Sequence, residues 1–452
     1  MKISPVYRTV LTLAGPAVVE LVLTSMTQFA DTIMVGRLGA YAISAVGLTT
    51  QPRFIMLATF IALNVGTTAL VARFRGQDNR QEAELVAVQS VLLSLAVALL
   101  LTIPGVFFSR AMVVFMGAGA DTVEASARYF RILMLGFVPT IMPITISALL
   151  RGIGDTRTSM RYNITANLVN IVFNYLLIYG KLGFPKLGVA GAAIATVIGN
   201  SGALAMAMYA VLRKRGTGNH VVNFLRLRFT RNNCLPNLPM LKRILRIGLP
   251  SAAEQIAMRV GMLIYTLMIT ALGTRVFAAH QIVLTVLNLS FVNGQAFGIA
   301  ATSLSGQALG RGDPGAAKAC SAASQRLGAL ISALMGALMI IFRHGLMALF
   351  TTEPDIIALG GTVMILAGII QPFLASFQIY AGALRGAGDS MYPALSLAAG
   401  ILGIRPLLAY LLVHVWSLGL FGAWIALSMD QIMRFVFILM RYRRGKWVNT
   451  EV

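Results

Sequence analysis

The stretch LAGPAVVE at residues 13–20 returns in altered form as IGLPSAAE at residues 247–254. A second stretch, ALLRGIGDT at residues 148–156, returns as GALRGAGDS at residues 382–390. Both pairs are separated by 234 positions, and further matches follow along the chain at nearly the same offset. A nearly constant offset over most of a chain is typical of internal duplication. We therefore predict that the chain consists of two copies of one structural unit.

The composition of the chain indicates what kind of unit this is. Of the 452 residues, 57% are hydrophobic and only 12% are charged, which is more apolar than a soluble chain of this size needs. Twelve stretches are long and apolar enough to cross a bilayer, and their periodicity is helical rather than alternating. We predict an all-α integral membrane protein with twelve transmembrane helices in two six-helix lobes. Because six is even, the lobes form a parallel repeat with a pseudo-two-fold axis along the membrane normal.

The basic residues are distributed unevenly. The chain carries 37 Lys and Arg against 15 Asp and Glu, for a net charge of +22. With both termini in the cytoplasm, most basic residues fall in inner loops and tails, which is the positive-inside pattern. This pattern favours anionic lipid over nucleic acid as the partner of the charge. It predicts a membrane protein with both termini in the cytoplasm (N-in, C-in), with an N-lobe at 1–212, a basic cytoplasmic linker at 213–244 and a C-lobe at 245–452.

Polar residues inside the apolar stretches predict a cation site in the first half, since ionisable groups in spanning segments are costly. The fifth segment carries asparagines at 163, 167, 170 and 174, which fall on one helical face. Four side chains would form the site: Asp31, Asn170, Asn174 and Thr196. Their carboxylate, amide and hydroxyl oxygens suit Na⁺, and burial favours a protonated carboxyl, so H⁺ is also a candidate. The alternative is an asparagine ladder that only holds helices together.

The second half lacks this cluster. At the positions equivalent to the four it carries Tyr265, Ile404, Leu408 and Leu427. Its predicted helices contain other polar residues instead: Glu254, Gln255, Arg259, Gln371, Gln378, Arg405, Asp430 and Arg434. The i, i+4 spacing predicts that Asp430 pairs with Arg434, and Arg405 could neutralise an acid across the bundle. Glu254 is the best candidate here for meeting a cationic substrate.

Further residues are candidates for a substrate cavity and a hinge. The cavity candidates are Gln28, Asn167, Glu254, Gln255 and Gln378. Glu20 lies eleven residues before Asp31, so an ideal helix places the two about 20° apart. Glu20 then either faces the same cavity or lies at the inner interface. Pro16 removes a backbone hydrogen bond from the first helix and is expected to act as a hinge.

Several stretches resemble the multidrug and toxic compound extrusion (MATE) family, and the resemblance covers nearly the whole chain. The stretches that carry it are QFADTIMVGRLG in the Pro16 helix, LLRGIGDTRTSM, NIVFNYLLIYG, GVAGAAIAT, AAHQI at 278–282 and GQALGRGD. The chain looks most similar to the bacterial DinF-like branch. The resemblance implies two six-helix lobes around a central cleft. It also implies export of amphipathic, often cationic compounds in exchange for Na⁺ or H⁺ by alternating access.

The resemblance also implies roles for individual residues. It places Asp31 where many members carry an essential aspartate, and it aligns Asn170, Asn174 and Thr196 with the rest of the family's cation site. Two departures are visible. Archaeal and DinF-like members often carry an aspartate where this chain has Asn174, so the site has lost a charge. The predicted tenth helix has glutamines and no acid, which argues against the C-lobe cation site of another branch.

We therefore expect a secondary active multidrug efflux antiporter that is a monomer, has no cofactor and is not an enzyme. The four histidines are scattered, and no glycine-rich phosphate loop is present, so ATP is not expected to drive it directly. In the expected mechanism Asp31 takes up H⁺ or Na⁺ from outside, and the change in charge moves the first helix about Pro16. A lipid-linked oligosaccharide or other lipid flippase of similar architecture is the alternative. Such a flippase would need a strongly cationic cavity, whereas the membrane arginines here are few and unpatterned.

Overall fold

The computed structural model describes residues 5–213, 224–225 and 227–450, so most of the basic stretch at the start of the predicted linker lies outside the described residues. Within the described part, every regular element is a helix. The first nine are α1 Pro5–Gly36, α2 Ala40–Gly76, α3 Arg80–Phe107, α4 Ser109–Phe115, α5 Val123–Leu135, α6 Phe137–Ile153, α7 Thr156–Tyr179, α8 Val189–Leu212 and α9 Arg231–Cys234. The second nine are α10 Leu238–Thr270, α11 Thr274–Gly310, α12 Pro314–Ile341, α13 Arg343–Ala348, α14 Pro354–Ile369, α15 Gln371–Gly386, α16 Met391–Ala398, α17 Arg405–Tyr410 and α18 Gly419–Arg443.

The twelve predicted spans are confirmed. Nine stretches of the described chain are long and apolar enough to cross a bilayer, and two bent pairs supply further spans. The pair α5 and α6 is bent by 50°, and the pair α14 and α15 by 42°. Pro139 and Pro372 lie at the start of the second helix in each pair, where a proline cannot continue the preceding helix. The last span is α7, which is 24 residues long but too polar to be recognised by hydropathy alone.

The eleventh span is irregular. Residues Ala399–Ile404 form π-helical turns between α16 and α17, and a second π-helical stretch, Leu411–Val415, follows α17. Pro406 lies between them as the second residue of α17, where its missing N–H removes an α-helical hydrogen bond. This explains why the regular helix predicted here is interrupted, since π-turns accommodate such breaks in a hydrogen-bond ladder.

The helices form two compact units. One contains Val19–Gly248, and the other contains the chain up to Val18 together with the residues from Leu249 onward. Both divisions fall inside helices, α1 and α10, close to Pro16 and Pro250. The sequence had assigned each helix whole to one lobe, with boundaries at residues 212 and 245. Those lobe boundaries stay a prediction.

Each unit has its own buried core. In the Val19–Gly248 unit, the core includes Val35, Tyr129 and Ile178. In the second unit, Tyr265 and Trp424 lie in the largest buried cluster. A separate cluster of the second unit joins the first turns of α1 to α11 and α15. These apolar contacts fix the α1, α7 and α8 backbones on which the polar residues lie.

Candidate functional site

The four residues predicted to form a cation site come together in the Val19–Gly248 unit. Asp31 lies on α1, Asn170 and Asn174 on α7, and Thr196 on α8. The side-chain nitrogen Nδ2 of Asn174 donates to Oδ1 of Asp31 at 2.5 Å. Asn174 is 0% exposed and Asn170 is buried, whereas Asp31 is half-buried. The proximity predicted from the sequence is therefore present.

The Asn170 amide connects α8 to the carboxylate. With its nitrogen turned toward Asp31, it donates to Oδ1 at 3.0 Å. Its oxygen then accepts from the Thr196 hydroxyl at 3.2 Å and from the Thr196 backbone N–H at 3.1 Å. Amide orientation follows from the hydrogen bonds it allows, and this one satisfies both ends of the side chain. Two amide nitrogens thus point at one carboxylate oxygen.

The other end of the Asn174 amide lacks such a partner. Its Oδ1 is buried and accepts no hydrogen bond from the described residues. A buried acceptor is costly unless a donor or a cation completes it. If the Asn174 amide turned, a protonated Asp31 could donate to this oxygen, or Na⁺ could bind to it together with the carboxylate. The described residues contain no group of three or more His, Cys, Asp and Glu side chains that could hold a metal ion.

Two glycines bring α7 and α8 close enough for Thr196 to reach Asn170. A Cβ at Gly191 would lie 2.6 Å from the carbonyl oxygen of Leu177, and one at Gly199 would lie 2.7 Å from that of Ala166. Small residues at such spacing allow membrane helices to approach with their backbones nearly in contact. The site therefore depends on glycine as much as on its polar side chains.

Gly199→Val is expected to push α8 away from α7 and to destabilise the protein by about 1–3 kcal/mol, the usual cost of overpacking. The measurement is the thermal unfolding temperature in detergent, followed by size-exclusion chromatography after heating. The matched control is Gly202→Val on the same helix, because a Cβ there meets nothing within 4 Å. Equal unfolding temperatures for the two variants would contradict the close helix approach.

A ladder of polar contacts joins α1 to α7. Besides the bond at Asp31, Asn167 donates to Oγ1 of Thr24 at 3.1 Å, and Asn163 donates to Oε1 of Glu20 at 2.8 Å. In all three rungs the partners are 143 residues apart, so the two helices run parallel. Asn163 and Asn167 therefore hold helices together, as the alternative expects for the whole stripe. Asn170 and Asn174 contact the Asp31 carboxylate.

Glu20 belongs to a buried ion pair rather than to the Asp31 cluster. Nη2 of Arg151 on α6 lies 2.6 Å from Oε1 of Glu20, and the Ser159 hydroxyl donates to Oε2 at 3.1 Å. The Ser147 hydroxyl lies 2.9 Å from that of Ser159 and can donate to it. The sequence left the position of Glu20 open, and its pairing with Arg151 was not predicted.

The second unit repeats this ion pair at Glu254, whose role in meeting a cationic substrate stays a prediction. Nη2 of Arg385 lies 2.6 Å from one oxygen of Glu254 and 2.7 Å from the other. The carboxylate is buried, so its charge is already compensated by the guanidinium. Both members of each pair recur at the offset of 234. That shared recurrence is the signal by which the sequence could have revealed the pairs.

The remaining cavity and hinge candidates do not join the carboxylate. Gln28 is exposed on α1, while Gln255 on α10 and Gln378 on α15 are half-buried in the second unit. Asn167 is occupied by its bond to Thr24. The roles of these residues in a substrate cavity, and of Pro16 as a hinge, stay predictions.

The ion pair expected from Asp430 and Arg434 is present and includes a third residue. Asp430 is 0% exposed and accepts from Nε of Arg434 at 2.7 Å and from Nε of Arg405 at 2.9 Å. Gly400 leaves room for this cluster, because a Cβ there would collide with the carboxylate. Tyr265, which stands at the position equivalent to Asp31, donates its hydroxyl to the carbonyl of Ala423 at 2.7 Å. The described part of the second half therefore has no counterpart of the Asp31 site.

Arg53 on α2 is a neighbour of the site that sequence reasoning missed. This half-buried arginine interacts electrostatically with Asp31. A single basic residue in an apolar stretch of α2 was the available signal, but nothing in the sequence places it beside α1.

Known proteins resemble this chain over nearly its full length. The MatE family model matches residues 16–176 and 250–411. The two segments begin 234 residues apart, so the predicted internal duplication is confirmed. A probable multidrug resistance protein NorM of Thermotoga maritima is 29% identical over 97% of this chain and 93% of its own length. The uncharacterized transporter YisQ of Bacillus subtilis is 28% identical over 97% and 94%.

The fold is likewise similar to solved structures. A crystal structure of MATE in complex with MaD3S has a TM-score of 0.89 at 26% identity, covering 98% of this chain and 97% of that chain. A crystal structure of MATE in the bent conformation has a TM-score of 0.88 at 26% identity, covering 98% and 96%.

Proposed function

Because the chain belongs to the MatE family of transporters, we propose that it is a secondary active multidrug efflux antiporter. It exports amphipathic, often cationic compounds in exchange for H⁺ or Na⁺ by alternating access. The family membership makes it a multi-pass membrane transporter rather than an enzyme. Relatives named as multidrug resistance proteins support the substrate class. The observation that carries the coupling is the Asp31 carboxylate, which meets buried amides in an otherwise apolar part of the chain.

Cation exchange at Asp31 changes which hydrogen bonds hold α1 to α7. In its ionised form the carboxylate accepts from the Asn174 and Asn170 amides. Neutralisation by a cation weakens these charge-assisted bonds. The contact between α1 and α7 then differs between the two states, which gives the ion a differential interaction with two conformations. This is the physical requirement for coupling ion movement to substrate export.

The geometry supports H⁺ over Na⁺ as the coupling ion. The site has one carboxylate, and in the described arrangement both amides turn a nitrogen toward it. Binding Na⁺ would require both amides to turn their oxygens inward and to lose their bonds to Asp31. Protonation requires only the Asn174 amide to turn, after which the carboxyl O–H can donate to the amide oxygen.

The setting of the transporter follows from its charge distribution. We place it as a monomer in the bacterial inner membrane, with both termini in the cytoplasm, because that orientation puts most basic residues inside. Cationic amphipathic compounds leave the cell in this scheme, and the coupling ion enters down its gradient. Neither step needs a bound cofactor.

Ethidium efflux from proteoliposomes tests the proposal directly. The wild-type protein is reconstituted, and efflux is driven by a proton gradient alone or by a Na⁺ gradient alone. We expect efflux under the proton gradient that stops when an ionophore collapses it. Efflux under the Na⁺ gradient alone would overturn the preference for H⁺ while keeping the antiport. Efflux under neither gradient would contradict the antiport proposal and favour the flippase alternative.

A further inference from the structure

A cavity of about 150 Å³ lies between α7 and α8 at the end of the first unit where α7 begins and α8 ends. It is lined by Thr158, Arg161, Tyr162, Met206, Tyr209 and Ala210. Asn174 lies 13 residues beyond Arg161 on the same helix, which is about 20 Å along its axis. The cavity is therefore separate from the Asp31 site. In the predicted topology this end of the helices faces the cytoplasm.

The second half of the chain fills the equivalent space. Tyr392 stands where the first half has Thr158, at the offset of 234, and Arg441 stands where it has Ala210, at the offset of 231 that relates α18 to α8. The Arg441 guanidinium lies 4.5 Å from the centre of the Tyr392 ring and donates to Asp389 at 2.8 Å. The duplicated fold thus closes this space with its own cation in one copy. Small side chains leave it open in the other.

Arginines line and surround the open cavity. Arg161 forms part of its wall, and Arg157 lies one helical turn earlier on the same face of α7. On α8, the Arg213 guanidinium lies 5.2 Å from the centre of the Tyr209 ring. Among the residues that the structure describes, no carboxylate pairs with Arg157 or Arg161. Asp155 is the nearby acid, and it accepts from the backbone N–H and the hydroxyl of Thr158. Against this one carboxylate, Arg157 and Arg161 leave the cavity with a net positive charge for an anion.

The fold itself does not require these arginines. The positions equivalent to Arg157 and Arg161 in the second half are Met391 and Leu395. Both side chains are apolar and exposed, at 57% and 54%. An apolar residue is therefore accepted at each position by the same local structure. The charges are a property of the first half alone and call for a ligand rather than a packing role.

The α7 face beyond the arginines is apolar. Leu168, Val172 and Tyr175 are all exposed. At 100° per residue they fall within about 60° of Arg161 around the helix. The face therefore presents positive charge at the end of the span and, beyond the exposed Thr165, an apolar surface toward its middle. A charged surface followed by an apolar surface matches a phospholipid, which has its phosphate at the membrane surface and its acyl chains in the bilayer core.

We propose that this cavity binds the headgroup of an anionic phospholipid from the adjacent leaflet, cytoplasmic in the predicted topology. Arg157 and Arg161 bind the phosphate through charge-assisted hydrogen bonds, and an acyl chain lies along the apolar face of α7. Basic pockets between helices on the cytoplasmic side are the usual form of such sites. The cavity admits the headgroup because Thr158 and Ala210 stand where the second half has Tyr392 and Arg441, which fill the equivalent space.

Native mass spectrometry of the full chain in detergent tests the proposal, with phosphatidylglycerol, phosphatidylcholine or inorganic phosphate added. One variant, Arg157→Met with Arg161→Leu, copies the second half and removes the charge. Another, Thr158→Tyr with Ala210→Arg, copies the second half and fills the cavity while keeping both arginines. The control is Arg443→Met with Arg444→Leu. It removes two charges from the C-terminal end and C-cap of α18, the counterpart of α8 in the second half. Size-exclusion profiles confirm that each variant is folded.

We expect wild type and control to retain phosphatidylglycerol in preference to phosphatidylcholine. We expect the charge variant to bind phosphatidylglycerol roughly 30-fold more weakly, from two surface arginines, and the filled variant to lose the preference although it gains a charge. Equal retention of both lipids by wild type would overturn the site. An equal loss in the α18 control would show that charge alone attracts the lipid, and a filled variant that binds like wild type would exclude the cavity. Displacement of the lipid by inorganic phosphate at equal concentration would overturn the lipid assignment in favour of a free anion.

Discussion

Asp31→Asn is expected to reduce gradient-driven ethidium efflux from proteoliposomes to the level of vesicles without protein. Asparagine has nearly the same shape and keeps an oxygen that can accept from Asn174, so α1 and α7 remain joined. It cannot gain or lose a charge, so the two states of the site become identical. A ligand that does not distinguish two states cannot shift the equilibrium between them.

The matched control for this variant is Asp78→Asn. Asp78 is 76% exposed in the turn between α2 and α3, and its φ of 53° is a left-handed conformation that asparagine tolerates. The control should transport like wild type and should incorporate into vesicles equally well. Full gradient-driven efflux by Asp31→Asn would mean that another group couples the ion.

Asp430→Leu is expected to lower the free energy of unfolding by about 3–5 kcal/mol, the usual cost of leaving a buried charge without its partner. The variant leaves the guanidiniums of Arg405 and Arg434 buried without their carboxylate. The measurement is loss of the monodisperse peak in size-exclusion chromatography after heating in detergent. The control is Asp355→Leu, because its pair with Arg275 is exposed at the surface and such pairs contribute about 0–1 kcal/mol.

A triple variant separates the effect of charge from that of packing. Arg405→Met, Asp430→Leu and Arg434→Met together replace the whole cluster with apolar side chains. Stability should return close to that of the wild type, since buried ion clusters can often be exchanged for apolar groups of similar volume. If Asp430→Leu alone were as stable as the Asp355→Leu control, the cluster would not be the buried ion cluster described above.

The fold could be predicted because its signals are local or periodic. Apolar length identifies the spans, and the offset of 234 identifies the repeat without any alignment to other chains. Even α7 was counted among the twelve apolar stretches, although its asparagine stripe lowers its hydropathy. The π-helical turns around Pro406 were not predicted, because they depend on how one helix fits its neighbours.

The candidate site could be predicted only in part. Asp31 and the asparagines stand out as polar groups in apolar segments, and helical periodicity puts Asn170 and Asn174 on one face. The pairing of Glu20 with Arg151 joins positions 131 residues apart, so helical spacing does not indicate it, and the recurrence of both residues at the offset of 234 is its only signal in the sequence. Arg53 has no such recurrence, and its approach to Asp31 is decided by packing. Charge compensation across helices is a three-dimensional property, so a sequence shows the charges more readily than their partners.

The glycine contacts between α7 and α8 have a consequence for how the first unit can move. The backbones of α7 and α8 are in contact at Gly191 and Gly199. We therefore expect these two helices to move together as a rigid body. Between α1 and α7, by contrast, the described bonds at the three rungs are side-chain hydrogen bonds, which can be exchanged one at a time. A cation that binds at Asp31 would therefore act on the contact between the rigid α7–α8 pair and α1. Only α1 can translate or rotate relative to that pair. Of the three helices that form the site, α1 is the part that can transmit the signal.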